Sequence, residues 1–310
     1  MAQVLVATGS GCLAITNTGE GETELPGHQF CALTREAAGT CLAIVDCHQV
    51  WRRDLAGAWT HVASTEIALQ CLTSFAGSIF AGAMDEAALL RISPDGEVER
   101  LTGFDGTPGR NDWFGGGPPL GVRAVKAIEA SAGSVAILAA VHVGGIPRST
   151  DGGVAWTPTI PILWDVHELS VHLSQPSLVA AATAVGLCIS QDDGQNWRVY
   201  SDGPETPNSL AVAVLPDEVL FSVQEGPFAQ RSQVWRWRLG SDVVEQVRDG
   251  LPEWLDGKID TGWLAASPGA RGTRAALVDR GGSLWLSTAG SAGWQRIAAG
   301  LPYPFGLTVL

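Results

Sequence analysis

Ser149-Thr150-Asp151-Gly152-Gly153-Val154-Ala155-Trp156 reappears as a pattern 41 residues later, in Ser190-Gln191-Asp192-Asp193-Gly194-Gln195-Asn196-Trp197. Both copies read Ser-x-Asp-x-Gly-x-x-Trp, and each follows a matching strand start, Gly145-Ile146 or Gly186-Leu187. Local physics explains all four fixed positions. Ser and Asp oxygens accept hydrogen bonds from nearby backbone N–H groups and hold a tight turn. Gly153 and Gly194 suit a backbone with positive φ. Trp156 and Trp197 open the next strand with a large ring to bury between sheets. These eight residues therefore read as structural, and the spacing is that of a sheet unit repeated along the chain.

Decayed copies extend the repeat. An aliphatic residue stands three positions before each box serine (Ile146, Leu187), and Leu13, Val50, Leu90, Val234 and Leu284 occupy the same place in similar strand-turn segments. Their intervals average about 45 residues, which suits a four-stranded propeller blade. Box remnants survive as Ser93 with Asp95, as Ser287 with Trp294, and as a shortened Arg53, Asp54 and Trp59. The first segments, Gln3–Ala7, Cys12–Asn17 and Glu22–Leu25, make only three strands, and 305–310 reads as the fourth. The sequence thus predicts an all-β chain: a single seven-bladed β-propeller over residues 1–310, closed by one blade that N- and C-terminal strands share. The 38 glycines and 17 prolines, spread evenly, are the punctuation of many short strands.

The pattern resembles the BNR or Asp-box propeller superfamily, which includes sialidases, xyloglucan-cleaving glycosidases, sortilin-type receptors and photosystem assembly factors. The resemblance implies a propeller with its boxes on the turns between third and fourth strands, away from the ligand face. It implies no particular activity, since those families do unrelated things. Sialidases carry an early Arg-Ile-Pro motif and a tyrosine nucleophile. Here the nearest string is Ile146-Pro147-Arg148, and the only tyrosines are Tyr200 and Tyr303. No sialidase activity is expected.

Composition narrows the partners. A formal net charge of −13 with no basic cluster argues against nucleic acid and anionic membranes. The start lacks a basic region before a long apolar run, and the apolar stretch 178–189 is too short and interrupted to cross a bilayer. A cytoplasmic protein is expected. Its six cysteines form no CxxC pair and read as reduced core residues.

Ligand chemistry is expected at one mouth of the central channel. Turns between second and third strands place Asp46, His48, Asp85, Glu86, His142, Glu225, Asp279 and Arg280 there, and innermost strands begin near His28, Glu66, Arg123, His167 and Asp260. Three readings of this ring stand side by side. The residues simply line a wet channel; or His48, His142 and His167 hold a divalent metal with Asp165, Glu168 or Asp85; or a carboxylate pair, Asp165 or Glu168 with Asp260 or Glu225, does acid–base work. Trp113, Trp164 and Trp254 fall in interblade loops beside polar residues, placed to stack on a flat ligand or to cap the blade cores. The insertion 103–121 is expected to act as a lid. The leading functional reading is a module that binds a small molecule, glycan or protein on this face. The alternative is a metal-assisted hydrolase or lyase.

Overall fold

The computed structural model describes residues 3–36, 38–114, 120–131, 133–172, 174–226, 228–266, 273–288 and 293–310. They form seven antiparallel sheets arranged in a ring, a β-propeller. Blade 2 runs Phe30–Arg35, Cys41–Val45, Gln49–Arg53, Trp59–Ser64 from axis to rim, and blade 3 runs Leu69–Phe75, Ser78–Ala83, Leu89–Ile92, Val98–Arg100. Blade 4 comprises Val122–Glu129, Val135–Val141, Pro147–Ser149 and Thr157–Pro158, and blade 5 comprises Val166–Val171, Val179–Thr183, Gly186–Ser190 and Arg198–Tyr200. Blade 6 is Val212–Val214, Glu218–Gln224, Arg231–Arg238 and Val244–Gln246, with Leu255–Asp256 added beside the start of its third strand. Blade 7 is Leu264–Ala266, Thr273–Val278, Leu284–Thr288 and Trp294–Ala298.

Blade 1 closes the ring. Pro304–Val309 is its innermost strand and pairs with Val4–Thr8, which continues to Gly11–Ile15 and Gly21–Glu24. The shared blade expected from the two ends is the one that forms. The terminal strands are thereby paired within one blade, so neither end of the chain leaves the ring open.

Burial explains why the strands read as they do. Second strands such as Cys41–Val45, Val135–Val141 and Val179–Thr183 are continuously apolar because neighbouring blades cover both faces. Outermost strands such as Val98–Arg100 and Gly21–Glu24 are polar and exposed. The core is divided into hydrophobic clusters that lie between adjacent blades.

The two repeated turns lie between third and fourth strands and share one hydrogen-bond pattern. Ser149 Oγ accepts from Gly153 N at 3.0 Å and donates to Asp151 at 2.8 Å. Asp151 accepts Val154 N and Ala155 N at 3.0 and 2.9 Å. Ser190 and Asp192 repeat this with Gly194, Gln195 and Asn196. Trp156 and Trp197 donate their indole N–H to the carbonyls of Gly153 and Gly194. Gly194 has φ 79°, and a Cβ there would meet Leu138 of the preceding blade at 2.1 Å, so only glycine fits. Asp54 and Ser93 hold their own turns in the same way, accepting Ala56, Ala58 and Glu97 N–H groups. Among the described residues no helix is long and apolar enough to cross a membrane.

Candidate functional site

On the face opposite the boxes, the innermost strands share a defect. In blades 2 to 5 the pairing of first and second strands slips by one residue at the same place, leaving Cys31, Gln70, Arg123 and His167 as bulges. Blade 1 slips at Phe305. A bulge re-aims its side chain and often marks a functional rim. The mouth is therefore ringed by Phe305, Cys31, Gln70, Arg123 and His167. The sequence reading found Arg123 and His167 but put His28 and Glu66 where Cys31 and Gln70 stand. The missed signal is a buried apolar residue, any residue, then a short strand, as in Phe30-Cys31-Ala32 and Val166-His167-Glu168.

Blades 4 and 5 converge on one polar cluster. Asp165, with φ 46°, precedes its strand and lies between two buried imidazoles: its carboxylate is 3.3 Å from His167 Nε2 and 3.6 Å from His142 Nε2. His167 Nδ1 is 2.8 Å from the Ser209 carbonyl, which can only accept, so Nδ1 carries a hydrogen. Burial alone would raise the Asp165 carboxyl, but His167 and His142 more than offset it and hold it below its usual range. Burial and the nearby Arg123 push the His142 imidazole down, while Asp165 pulls it up. Asp165 Oδ1 is buried and accepts no hydrogen bond among the described residues.

Deeper along the axis, Glu168 reaches from blade 5 to the backbone of two further blades, accepting Val212 N at 3.0 Å and Gly262 N at 3.2 Å. Burial pushes its carboxyl up to about 8, against the pull of those donors and of Lys126. Lys126, on the innermost strand of blade 4, is pushed down by burial. Among the described residues, neither Arg123 nor Lys126 forms a side-chain ion pair or hydrogen bond. Arg123 is thereby left without an ion-pair partner among the described residues, whereas Lys126 has Glu168 as its charged neighbour.

The structure places the other expected site residues as follows. His48 is exposed and leans on the Thr65 carbonyl at 3.2 Å, away from His142 and His167. Among the described residues no three His, Cys, Asp or Glu side chains are placed to hold one metal ion, so the expected trio is not assembled. Glu225 is exposed, 3.9 Å from Arg231, whereas Asp260 pairs with Lys258 and lies close enough to Glu168 to raise its carboxyl further. Asp279 is buried and ties its own turn through Ser283 N at 2.9 Å, leaving Arg280 exposed beside it. Asp46 is bound to His28 at 2.8 Å and Gln29 N at 2.9 Å, and Asp85 is exposed.

Trp113 is only 7% exposed and packs with Phe104, itself 4.9 Å from Trp156, so it caps the core. The first part of the insertion is anchored with it: Thr102–Gly106 and Arg110–Asp112 form 3-10 turns, and Arg110 bonds the Ala87 carbonyl at 2.7 Å. The remainder of the insertion expected as a lid, 115–119, lies outside the described residues. Trp164 and Trp254 are half-buried, the latter under the Arg231 guanidinium at 3.9 Å.

Other rings form the apolar rim. Phe114, Phe228, Tyr303 and Phe305 are the exposed large aromatics among the described residues, and all four lie on loops or strand starts at the mouth, Phe228 being 84% exposed. Leu163, also exposed, stands beside Asp165. A hollow of about 370 Å³ elsewhere, lined by Arg52, Asp54, His61 and Asp95 among others, lies on the outer edge of blades 2 and 3 and shares no residue with this cluster.

No protein-family model matches the chain, and no curated protein matches it. Solved structures do. The GH74 xyloglucanase from Xanthomonas campestris is 17% identical with a TM-score of 0.61, over 96% of this chain and 47% of that one. An ancestral GH74 enzyme is 15% identical with a TM-score of 0.62, over 96% and 40%. The chain thus spans less than half the length of either. Virginiamycin B lyase from Staphylococcus aureus is 10% identical with a TM-score of 0.58, over 90% and 85%. At these identities the likeness is one of fold.

Proposed function

We propose that this propeller is a binding module for a small organic anion, a carboxylate or phosphate carried on an apolar body. The carrying observation is Arg123, a bulged side chain of the mouth that forms no ion pair or hydrogen bond among the described residues, on the face whose loops and strand starts carry the exposed rings of Phe114, Phe228, Tyr303 and Phe305. Exposed apolar groups gathered at one place mark a contact surface. Arg123 supplies a planar two-pronged donor for the anionic group. His142 and Asp165 Oδ1 offer a donor and an acceptor that fix orientation. The fold is of the kind whose third-to-fourth-strand turns carry Asp boxes, and Ser149–Trp156 and Ser190–Trp197 are read as two such boxes with a purely structural role.

A second reading is an enzyme of the hydrolase or lyase class using acid–base chemistry. One observation favours it: His167 is held at Nδ1 by the Ser209 carbonyl with its Nε2 3.3 Å from the Asp165 carboxylate, the arrangement a general acid or base needs. The hydrolase and lyase propellers of similar fold are compatible with it.

Thermal-shift and calorimetric screening with matched pairs of aromatic carboxylates and their neutral amides tests the binding reading. The carboxylates should bind and the amides should not, and Arg123→Gln should weaken binding about tenfold or more, the worth of one charge-assisted hydrogen-bonded pair. Equal binding of both members of every pair, or an unaffected variant, would refute it. Turnover of a bound ester or ether, abolished by His167→Gln, would move the assignment to the second reading.

A further inference from the structure

At the mouth of blade 2 the Sγ atoms of Cys31 and Cys47 are 2.7 Å apart. That separation lies between a disulfide, at about 2.0 Å, and the ordinary contact of unbonded sulfurs. Cys31 is the bulged residue of its innermost strand, so its side chain leaves the core pattern and turns to the rim. Cys47 comes from the turn joining the second and third strands, where Asp46 has φ 50° and Cys47 φ 60°. His48 N bonds the Val45 carbonyl across that turn, whose two central residues are both left-handed, within a three-residue loop between Val45 and Gln49. Such a loop favours glycine at its second central position. A non-glycine residue held there is strained, and strain of this kind is found mostly at functional sites. The Cys47 carbonyl is pinned by Leu69 N of blade 3 at 2.7 Å, which fixes the thiol in place beside its partner. Both residues are partly exposed, as is Cys71, so a reagent can reach them, whereas Cys12, Cys41 and Cys188 are buried.

We infer that Cys31 and Cys47 are a dithiol site that closes reversibly to a disulfide by exchange with a small disulfide. Cys47, on the turn, attacks one sulfur of the reagent and expels a thiol. Burial holds Cys31 as a thiol, well above the usual cysteine range, until it loses its proton on attacking the Cys47 sulfur and expelling the second thiol. The protein gives up two electrons and two protons, and the reagent leaves as two thiols. The new bond joins the bulge of the innermost strand to the turn that carries Asp46 and His48, tightening one arc of the mouth.

The test treats the reduced protein with oxidised glutathione, then counts free thiols after denaturation and measures intact mass. The wild type should fall from six thiols to four, with the mass of two hydrogens lost and no adduct, and fragmentation should join Cys31 to Cys47. Cys31→Ser should instead trap a glutathione adduct on Cys47 that dithiothreitol removes, while Cys12→Ser should close like the wild type. Should Cys31→Ser fail to fold, the fragment map of the wild type still decides. Six surviving thiols, or a bond mapped to any other pair such as Cys12 and Cys41, would overturn the inference.

Discussion

Replacing Glu168 by glutamine should remove the pH dependence of stability that this residue imposes. Burial raises the Glu168 carboxyl from 4.5 to about 8 in the folded chain. Between those values the folded state keeps a proton that the unfolded state releases. Fewer protons are then bound on unfolding, so this group makes stability fall as pH rises through that window, and its penalty is complete once pH passes the folded value. Over the 3.5-unit gap the full penalty is about 5 kcal/mol at about 1.4 kcal/mol per unit, of which about 4 kcal/mol accrues between pH 5 and pH 8. Glutamine does not titrate. It keeps one acceptor for Val212 N or Gly262 N and turns its amide group toward the other, at a pH-independent cost of about 1–2 kcal/mol. Glu168→Gln should therefore be less stable than the wild type at pH 5 and more stable at pH 8. Urea unfolding of both proteins at each pH measures this, because every other titration cancels in the difference. A difference that stays constant from pH 5 to pH 8 would refute the reasoning.

Asp192→Ala removes the acceptor of Gln195 N, Asn196 N and the Ser190 hydroxyl, and should cost about 1–2 kcal/mol in urea unfolding while leaving ligand affinity unchanged. Trp113→Ala, emptying a core site beside Phe104, should cost about 3–5 kcal/mol; Trp254→Ala, losing a surface stack with Arg231, should cost about 1 kcal/mol by the same measurement. Asp165→Asn withdraws the negative charge that supports protonated His142, so NMR titration should show the His142 imidazole moving further down; an upward move would reverse the assigned geometry.

The ring of blades was legible because its causes are local or periodic. Box turns are written in four residues, and second strands covered on both faces must be apolar throughout, as Val135–Val141 is. The aliphatic positions Leu13 through Leu284 all fall in or just before third strands. Site residues were legible in part. His142, Asp165, His167 and Arg123 were named, and the structure brings them together. The bulges were not legible, because a register slip depends on the partner strand and leaves no mark in composition. Hence His28 and Glu66 stood in for Cys31 and Gln70. The rim was misread for a related reason. Tryptophans beside polar residues drew attention, but Trp113 found enough apolar neighbours to be buried, and smaller rings such as Phe228 and Tyr303 were left outside. The metal trio failed because matching positions in different blades face the axis from different sides, and His48 lies two blades from His142.

Anomalous diffraction from crystals soaked in a brominated aromatic carboxylate tests the central claim most directly. The binding account predicts a bromine peak among Phe114, Phe228, Tyr303 and Phe305, with the carboxylate within hydrogen-bond distance of Arg123. Bromine found only elsewhere, for instance in the outer hollow by Arg52 and His61, with the mouth filled by water alone, would contradict it.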